Sequence, residues 1–364
     1  MMRGLQRRTT ARMSGVVGNL ALAAVSLAIA NAVASVALRS PSVANRVFSE
    51  AAVWRAAWLM RPHAAMLPHD LFDPELGWTL APNLRDVPLP GTGTVNSESH
   101  GVRGAHERAL AKPAGEIRIV AIGDSFTFGD EVDDGETFSA ALENDLPTAE
   151  VLNLGVHGYG HDQMLLRLRR DGLAFAPDVV LLGWVDMDKE RDILDFRDYA
   201  KPRFELSDGR LVLATSRIPA PAELLRSRRF TPALVLLAEG TWERFRSTED
   251  PARTAALAAA LGAEIARTVR AAGAVPVFVD LPDPRNSTAP SRLMSDLCDA
   301  EHIECVFPGN ALASAAASGT RLIRVNHYTP DANRIVAASI RRHLEARGLL
   351  ATRREQASSL AAAR

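Results

Sequence analysis

A serine and a histidine in this sequence are placed where they could act together as nucleophile and base. Ser125 follows the apolar run 117–122 in the tetrapeptide Gly-Asp-Ser-Phe, and His327 stands just before the last helical pattern. A histidine beside a serine can take the hydroxyl proton and activate the oxygen for attack on an acyl carbon. The simpler interpretation is that Ser125 only caps the following helix. A lipase-type turn is disfavoured, because Thr127 stands where that turn needs its second glycine.

A glycine-rich segment could supply backbone donors to the same site. Residues 153–160 read Asn-Leu-Gly-Val-His-Gly-Tyr-Gly and follow the second apolar run. Glycines let the backbone approach a ligand closely, and their spacing does not match the dinucleotide-binding fingerprint. His157 and His161 lie four residues apart, but no carboxylate motif accompanies them. We therefore interpret both as polar loop histidines rather than a metal pair, and the sequence predicts no metal or other cofactor.

The elements that must position these residues alternate between strands and helices from residue 116 onward. This alternation is typical of a parallel sheet with helices on both faces. Ligands of such sheets bind beyond the carboxyl ends of the strands, where Ser125 and residues 153–160 lie. The predicted strands are 117–123, 151–155, 178–184, 274–280 and 303–307, and the predicted helices run from the serine turn to about Leu146 and over about 162–173, 251–272, 290–300 and 329–347.

An insertion at about 186–250 interrupts the alternation. It contains a predicted hairpin, RFEL-SDGR-LVLA, and one or two predicted helices. The charged stretches 186–191 and 196–202 are interpreted as a solvated cap, with substrate binding as the alternative.

The N-terminus carries the strongest compositional signal. Residues 16–38 hold no charge over 23 positions, which as a helix is enough to cross a bilayer core of about 30 Å. Four arginines precede this run, whereas only Arg39 stands immediately after it, so the rest of the chain is predicted to face away from the cytoplasm. The sequence thus predicts a membrane anchor. The tripeptide Ala-Val-Ala at 32–34 leaves a cleaved signal peptide as the alternative, and either interpretation exports the main domain to the periplasm or cell surface.

The remaining segments and the composition narrow the class of protein. We interpret 1–15 as a basic cytoplasmic N-terminus, 39–114 as a stalk and irregular lead-in, 115–350 as the main domain and 351–364 as a tail. A formal net charge of −1 lacks the positive excess that is typical of proteins that bind nucleic acid. The two cysteines, Cys298 and Cys305, fit either a local disulfide in an oxidising compartment or two buried thiols.

Three motifs together resemble a known family. GDSFTFG at 123–129, NLGVHGYG at 153–160 and a histidine before the last helix are similar to the motifs of the SGNH, or GDSL-type, serine esterases. The resemblance covers about residues 116–347. It implies a three-layer, flavodoxin-like α/β fold and a serine-dependent hydrolysis or transfer of ester-bound acyl groups without a cofactor.

The resemblance also implies roles for individual residues. Ser125 corresponds to the nucleophile and His327 to the base. The backbone N–H groups of Ser125 and Gly158 correspond to two oxyanion donors. Asp124 and Asn153 lie in the same motifs and are further candidates for lining the site.

One departure from the family pattern concerns the oxyanion hole. The family has an asparagine shortly after the third strand, and its side chain completes the hole. Here Asp186 or Met187 falls at that position, with Asp188 next in the chain. Methionine offers no donor, and an ionised aspartate would repel an oxyanion.

A second departure concerns the residue that orients the base. The family usually has an aspartate two or three residues before the histidine, where this chain has Arg324 and Val325. Asn326 is adjacent to His327, and a backbone carbonyl could also orient the ring. Asp331 lies one helical turn further on, and we interpret it mainly as a first-turn residue that the helix dipole favours.

The leading hypothesis is hydrolysis or transfer of an acyl group, especially acetyl, on an extracytoplasmic glycan through an acyl-Ser125 intermediate. One alternative is a catalytically impaired domain that binds glycan or scaffolds the cell envelope. Another is a lipid esterase or thioesterase. The predicted partners are an ester-bearing small molecule or glycan and the membrane, and the sequence identifies no protein partner.

Overall fold

A computed structural model of the chain describes residues 2–40, 49–60, 66–215, 217–228, 231–246 and 250–350. The helices of these residues are α1 (Met2–Arg39), α2 (Glu50–Met60), α3 (Ser125–Phe128), α4 (Phe138–Asp145), α5 (His161–Arg170), α6 (Asp188–Arg191), α7 (Pro221–Arg228), α8 (Ala233–Arg246), α9 (Pro251–Ala271), α10 (Arg292–Glu301), α11 (Gly309–Ala317) and α12 (Pro330–Ala346). The strands are β1 (Asp70–Asp73), β2 (Gly77–Leu80), β3 (Val87–Pro88), β4 (Thr94–Val95), β5 (Ile117–Ile122), β6 (Ala149–Asn153), β7 (Val179–Trp184), β8 (Phe196–Arg197), β9 (Tyr199–Ala200), β10 (Phe204–Ser207), β11 (Arg210–Leu213), β12 (Val275–Asp280) and β13 (Glu304–Val306).

The chain divides into two compact units, and the first is helical. It comprises residues 1–65 and 221–248. In it α8 packs against α1 and α2, and Leu38 shares an apolar cluster with Ala52 and Ala56. The segment Val17–Leu38 of α1 has a mean hydropathy of 2.1 and is long and apolar enough to cross a bilayer. The later part of the predicted insertion, α7 and α8, therefore belongs with the N-terminal helices.

The second unit, residues 66–220 with 249–364, contains the parallel sheet. Within the described residues its strand order is β13-β12-β7-β5-β6, and every neighbouring pair is parallel. Numbered along the chain this is the order 2-1-3-4-5 of flavodoxin-like folds. The central strands β5 and β7 are buried at every position, as expected for strands covered on both faces, and Arg118 is the one charged residue in these two strands. The predicted fold class is confirmed.

Helices cover this sheet in two layers. On one face α12 packs against α4, and on the other α9 packs against α5 and α10. Alternate strand residues such as Ile119 and Leu181 join Val336 and Ile340 of α12 in an apolar core. The pleat sends neighbouring residues to opposite faces of the sheet. Because all five strands are parallel, their carboxyl ends lie at the same edge.

The second unit also contains antiparallel hairpins outside the parallel sheet. The pairs β1–β2 and β3–β4 lie in the lead-in, and the pairs β8–β9 and β10–β11 lie in the insertion. The predicted RFEL-SDGR-LVLA hairpin is confirmed, with Ser207 opposite Arg210. Trp78 of β2 is fully buried, so the lead-in contributes to the core.

One sequence-based expectation is revised by the local backbone, and one open alternative is resolved by a disulfide. The single helix predicted from the serine turn to Leu146 is two helices, because Gly129 ends α3 with a φ of +93° and Thr137 caps the start of α4. A loop, 129–137, lies between them. Cys298 and Cys305 form a disulfide between α10 and β13, which removes the alternative of two free thiols.

Candidate active site

Ser125 lies at the open edge of the sheet, where β5 ends and α3 begins. Asp124 caps α3 by accepting a hydrogen bond from the Phe126 N–H at 2.9 Å. Ser125 is 6% exposed and borders a cavity of about 1000 Å³. Its Oγ lies 2.9 Å from His327 Nε2 and 3.3 Å from Asp124 Oδ2. The expected proximity of the serine and the histidine is confirmed.

His327 is held in a tight turn between Ile323 and Tyr328, which pair across it. The turn is closed by the Arg324 N–H, which donates to the His327 carbonyl at 2.9 Å. The second ring nitrogen, Nδ1, lies 3.2 Å from Glu131 Oε1. A proton on Nδ1 that is donated to this carboxylate leaves the Nε2 lone pair free to accept the serine proton. Serine, histidine and glutamate therefore form one continuous hydrogen-bonded row.

Glu131 is the functional candidate that the sequence analysis missed. Its carboxylate accepts hydrogen bonds from the backbone N–H groups of Val325 at 2.8 Å and Asn326 at 3.0 Å. Burial opposes ionisation of Glu131, but these N–H donors and His327 outweigh it and lower the pKa of the carboxyl. Glu131 has a φ of +69°, a strained conformation for a residue with a side chain. Gly129, a typical helix-ending residue, was the sequence signal for the loop that carries Glu131.

Asp130 is a second carboxyl group near the base. Its Oδ2 lies 3.8 Å from His327 Nε2, and its side chain borders the cavity. Burial raises the pKa of Asp130, against the opposing effect of His157 and His327. We call Ser125, Asp130, Glu131 and His327 the His327 cluster.

The two orienting candidates proposed from the sequence have other contacts. The Asn326 N–H donates to Glu131, and the residue borders the cavity beside the base. Asp331 is exposed and pairs with Arg334 within its own helix at 2.5 Å. The orienting carboxylate comes instead from a loop that the sequence analysis had interpreted as helix.

Gly158 borders the cavity together with Ser125, as its predicted role requires. It has a φ of +73°, and a Cβ there would lie 2.3 Å from Asp198 Oδ2 and 3.0 Å from Arg197 Nη1. Any side chain at this position would therefore collide with the β8–β9 turn, and glycine is required for both conformation and space.

Three other predicted lining residues lie beneath the cavity instead. The Asn153 amide donates to the Thr127 carbonyl at 2.8 Å and ties the glycine-rich loop to the serine turn. The carboxylates of Asp124 and Asp188 pair with Arg191 at 3.1 and 2.6 Å. These three side chains support the site and do not border the cavity that the structure describes.

Asp186 and Met187, the two residues predicted to stand where the resembled family has an asparagine, border the cavity. Asp186 accepts a hydrogen bond from Ser291 Oγ at 2.7 Å and pairs with Lys189. Burial acts to raise the pKa of Asp186, but these two partners lower it. The Met187 side chain is 54% exposed. Neither side chain offers a hydrogen-bond donor to the cavity.

A second group of histidines and carboxylates lies beside the glycine-rich loop; we call His69, Asp70, His157 and Asp198 the His157 cluster. His157 Nε2 lies 2.8 Å from Asp70 Oδ1, and its Nδ1 lies 3.7 Å from Asp198 Oδ2. Burial opposes the charged ring, but Asp70 and Asp198 together raise the pKa of His157 well above its ordinary value. Burial lowers the pKa of His69 to about 4.

The interpretation of His161 as a polar loop residue is wrong. His161 begins α5 and is fully buried. Its backbone N–H and Nδ1 lie 2.6 and 2.9 Å from the Asp192 carboxylate. A buried histidine with its own carboxylate partner has a structural role, so His161 and His157 do not form a metal pair.

The interpretation of 196–202 as a solvated cap is also wrong. Tyr199 is fully buried, and Lys201 is 1% exposed with its ammonium paired to Asp162. The charges are misleading because Arg197 pairs with Asp198 and Lys201 pairs with Asp162. The aromatic rings of Phe196 and Tyr199 are buried and contact each other.

No protein-family model matches the chain, and no curated protein matches it. Solved structures similar to it include TesA (17% identity, TM-score 0.39, covering 64% of this chain and 99% of that one). The acetyl xylan esterase AlAXEase has 15% identity and a TM-score of 0.36, with 62% and 98% covered. A member of the lipolytic G-D-S-L family from Veillonella parvula DSM 2008 has 12% identity and a TM-score of 0.34, with 62% and 97% covered. Values this low support no inference about activity or substrate.

Proposed function

We propose that the protein is a membrane-anchored serine esterase or acyltransferase of the SGNH type that acts outside the cytoplasm on an O-acylated, especially O-acetylated, glycan. The observation that carries the proposal is the row of Ser125, His327 and Glu131, with contacts of 2.9 and 3.2 Å. A nucleophile, a base and a carboxylate that orients the base are the parts that acyl transfer requires.

In the proposed reaction Nε2 of His327 carries the proton, while Nδ1 stays hydrogen-bonded to Glu131. Nε2 takes the hydroxyl proton of Ser125 while Oγ attacks the ester carbon. The imidazolium, stabilised by Glu131, then gives that proton to the departing alcohol, and an acyl-serine remains. In the second half, Nε2 takes a proton from water or from a sugar hydroxyl, and the acyl group passes to that oxygen as His327 returns the proton to Ser125.

The oxyanion is proposed to bind to the backbone N–H groups of Ser125 and Gly158. A family-type third donor is missing, since Met187 cannot donate and Asp186 is held by Lys189 and Ser291. Removing one such donor from a serine hydrolase costs about 10²–10³ in kcat. We therefore expect slow turnover of small activated esters, with part of the rate recovered by remote contacts to a larger substrate.

The cavity supports a polar substrate. Its charged lining residues are Asp130, Asp186, Lys189, Glu190, Arg191, Arg197, Asp280, Asp283, Arg285, Arg292 and Asp296. A long acyl chain would have to displace water from these groups without replacing their hydrogen bonds, which is costly. Sugar hydroxyls can replace those bonds, so a glycan carrying a short acyl group fits better than a lipid.

The proposed location outside the cytoplasm has two supports. The apolar segment Val17–Leu38 follows an arginine-rich start, which favours a cytoplasmic N-terminus. The disulfide between Cys298 and Cys305 is typical of oxidising compartments. Alkaline phosphatase fused after Arg364 should be active in a bacterial host, and an inactive fusion with an active cytoplasmic reporter at the same point would contradict this location.

The catalytic proposal is tested with acetylated xylan, p-nitrophenyl acetate and p-nitrophenyl palmitate as substrates. We expect release of acetate from the glycan, weak activity on the small ester, and no activity on the palmitate. A fluorophosphonate probe should label the wild type and the control Ser339→Ala, a helix serine bonded to the Ile335 carbonyl, but not Ser125→Ala.

Three results would contradict the catalytic proposal or its substrate. Unchanged hydrolysis by Ser125→Ala would remove Ser125 as the nucleophile. If the folded wild type is inert and Ser125→Ala still binds glycan, the result would favour the alternative of a binding domain. The observation that motivates this alternative is the missing third donor at Met187. Activity on palmitate alone would favour a lipid esterase.

A further inference from the structure

The His157 cluster contains a buried polar side chain that the proposed reaction does not use. His69 is 1% exposed, and neither of its ring nitrogens has a hydrogen-bond partner in the part of the chain that the structure describes. A buried polar group without a partner destabilises a fold, and native proteins rarely leave one unexplained. The pairing of His157 with Asp70 accounts for those two residues but not for His69.

The unpartnered ring faces the carboxylate that His157 already contacts. His69 Nε2 lies 3.8 Å from Asp70 Oδ1, beyond hydrogen-bond reach, and His157 Nε2 lies 2.8 Å from the same oxygen. One ligand atom from each of the three residues falls within 4.8 Å of the others. The two rings meet edge to face with their centroids 5.2 Å apart. Two imidazole nitrogens and a carboxylate oxygen therefore converge on one buried point.

We propose that His69, Asp70 and His157 bind a divalent transition-metal ion, with Zn²⁺ the best match to this donor set. Zinc takes imidazole nitrogen and carboxylate oxygen at about 2.0–2.2 Å, so tetrahedral ligand atoms are separated by about 3.4 Å. The observed separations of 2.8 and 3.8 Å lie on either side of that value. Three protein ligands leave a fourth position for water.

Asp198 supports the site without being a ligand. It lies on the far side of His157, with Oδ2 3.7 Å from Nδ1. A carboxylate on the second nitrogen of a metal-bound histidine fixes the tautomer and the ring orientation. The ion would in turn hold the residue directly before Gly158, so it would stabilise the loop that faces Ser125.

The chain offers a matched control cluster. Glu98, His100 and Glu107 also bring ligand atoms within 4.8 Å, but His100 and Glu107 are exposed and His100 Nδ1 is already bonded to Glu98 at 3.0 Å. Exposed groups that satisfy one another have no need of an ion. Zinc binding should therefore be lost with changes at His69 or Asp70 and kept in His100→Gln.

The test uses the full-length protein, in detergent and with a tag that lacks histidine, stripped with chelator and incubated with ZnCl₂. After removal of free metal, elemental analysis should find about one zinc per chain in the wild type and in His100→Gln. It should find less than about a tenth of that in His69→Gln and in Asp70→Asn. Saturating zinc should also raise the Tm of the wild type by about 5 °C.

A stripped wild type that takes up no zinc and shows no shift in Tm would overturn the proposal and leave a bound water as the partner of His69. Zinc that stays bound in both His69→Gln and Asp70→Asn would also overturn it. If both ligand variants fail to fold, zinc affinity is measured in Asp198→Asn instead. Loss of such a supporting carboxylate weakens metal affinity about 10- to 100-fold, so unchanged zinc affinity in that variant would count against the site. The measurement reads metal content and not ester hydrolysis, so its result is independent of the proposed function.

Discussion

The His327 cluster and the His157 cluster both place an imidazole between polar groups beside the same glycine-rich loop, but they present different partners to the ring. His327 has a carboxylate on Nδ1 and a serine hydroxyl on Nε2. His157 has a carboxylate facing each nitrogen. Only the first arrangement gives the ring a proton to take and a group that stabilises the ring after it has taken it. The second holds a charged ring, or an ion in place of its proton, in a fixed position.

The partners of a histidine, rather than its presence in the cavity lining, determine its chemistry. His157 and His327 both border the cavity. The sequence analysis interpreted His157 as a polar loop residue and His327 as the base. The hydroxyl that faces Nε2 of His327 is what makes that residue the candidate base.

The largest expected effect comes from removing that base. We expect His327→Ala to lower kcat for the acetylated glycan by about 10³-fold or more, because Ser125 loses its proton acceptor. His343→Ala is the matched control, a histidine of α12 paired with a glutamate, Glu304, at 3.1 Å, and it should keep the wild-type rate. A loss of equal size in His157→Asn would break the distinction between the two clusters.

The next effect concerns the carboxylate behind the base. Glu131→Gln should lower kcat by about 10²–10⁴-fold with little change in KM, because the ring loses both its tautomer and its stabilising charge. Asp331→Asn, on an exposed residue paired within its own helix, should have no effect on either constant. If the two variants behave alike, Glu131 does not orient His327.

A smaller effect, and a gain, is expected at the oxyanion hole. Met187→Asn should raise the rate on p-nitrophenyl acetate about tenfold or more, because it restores a side-chain donor where the family has one. Asp186→Asn tests whether the donor position is residue 186 rather than residue 187. If the wild type is already fast and neither substitution helps, another group supplies the third donor.

The smallest effect is on stability in acid. The pKa of Glu131 is lowered below its ordinary value of 4.5 in the folded protein, so its ionised contacts stabilise the fold above that pH and are lost as the pH falls through the folded-state value. The Tm of the wild type should exceed that of Glu131→Gln by about 2–4 °C at pH 7, and the difference should shrink below about pH 4.5. A difference that persists unchanged at the lowest pH would mean that ionised Glu131 does not hold the His327 turn.

Local sequence patterns were sufficient for the sheet and for the two ends of the proposed catalytic row. Apolar runs bounded by turn residues predict strands whose carboxyl ends share one edge, and Ser125 stands at that edge. His327 before a Thr-Pro helix start is likewise readable, because Thr329 caps α12 as such residues do. These features depend on neighbours within a few residues, which the sequence displays directly.

The partners of the two histidines depended on tertiary structure. Glu131 is 196 positions from His327, and Asp70 is 87 positions from His157. Carboxylates are frequent in the chain, and no periodicity indicates which of them a folded loop brings to a given ring. Glu131 reaches His327 only because Gly129 ends α3 and the turn at 324–327 directs its backbone N–H groups to that carboxylate. Ser125 and His327 were therefore predictable from local pattern, while the groups that contact each histidine were decided by packing between distant loops.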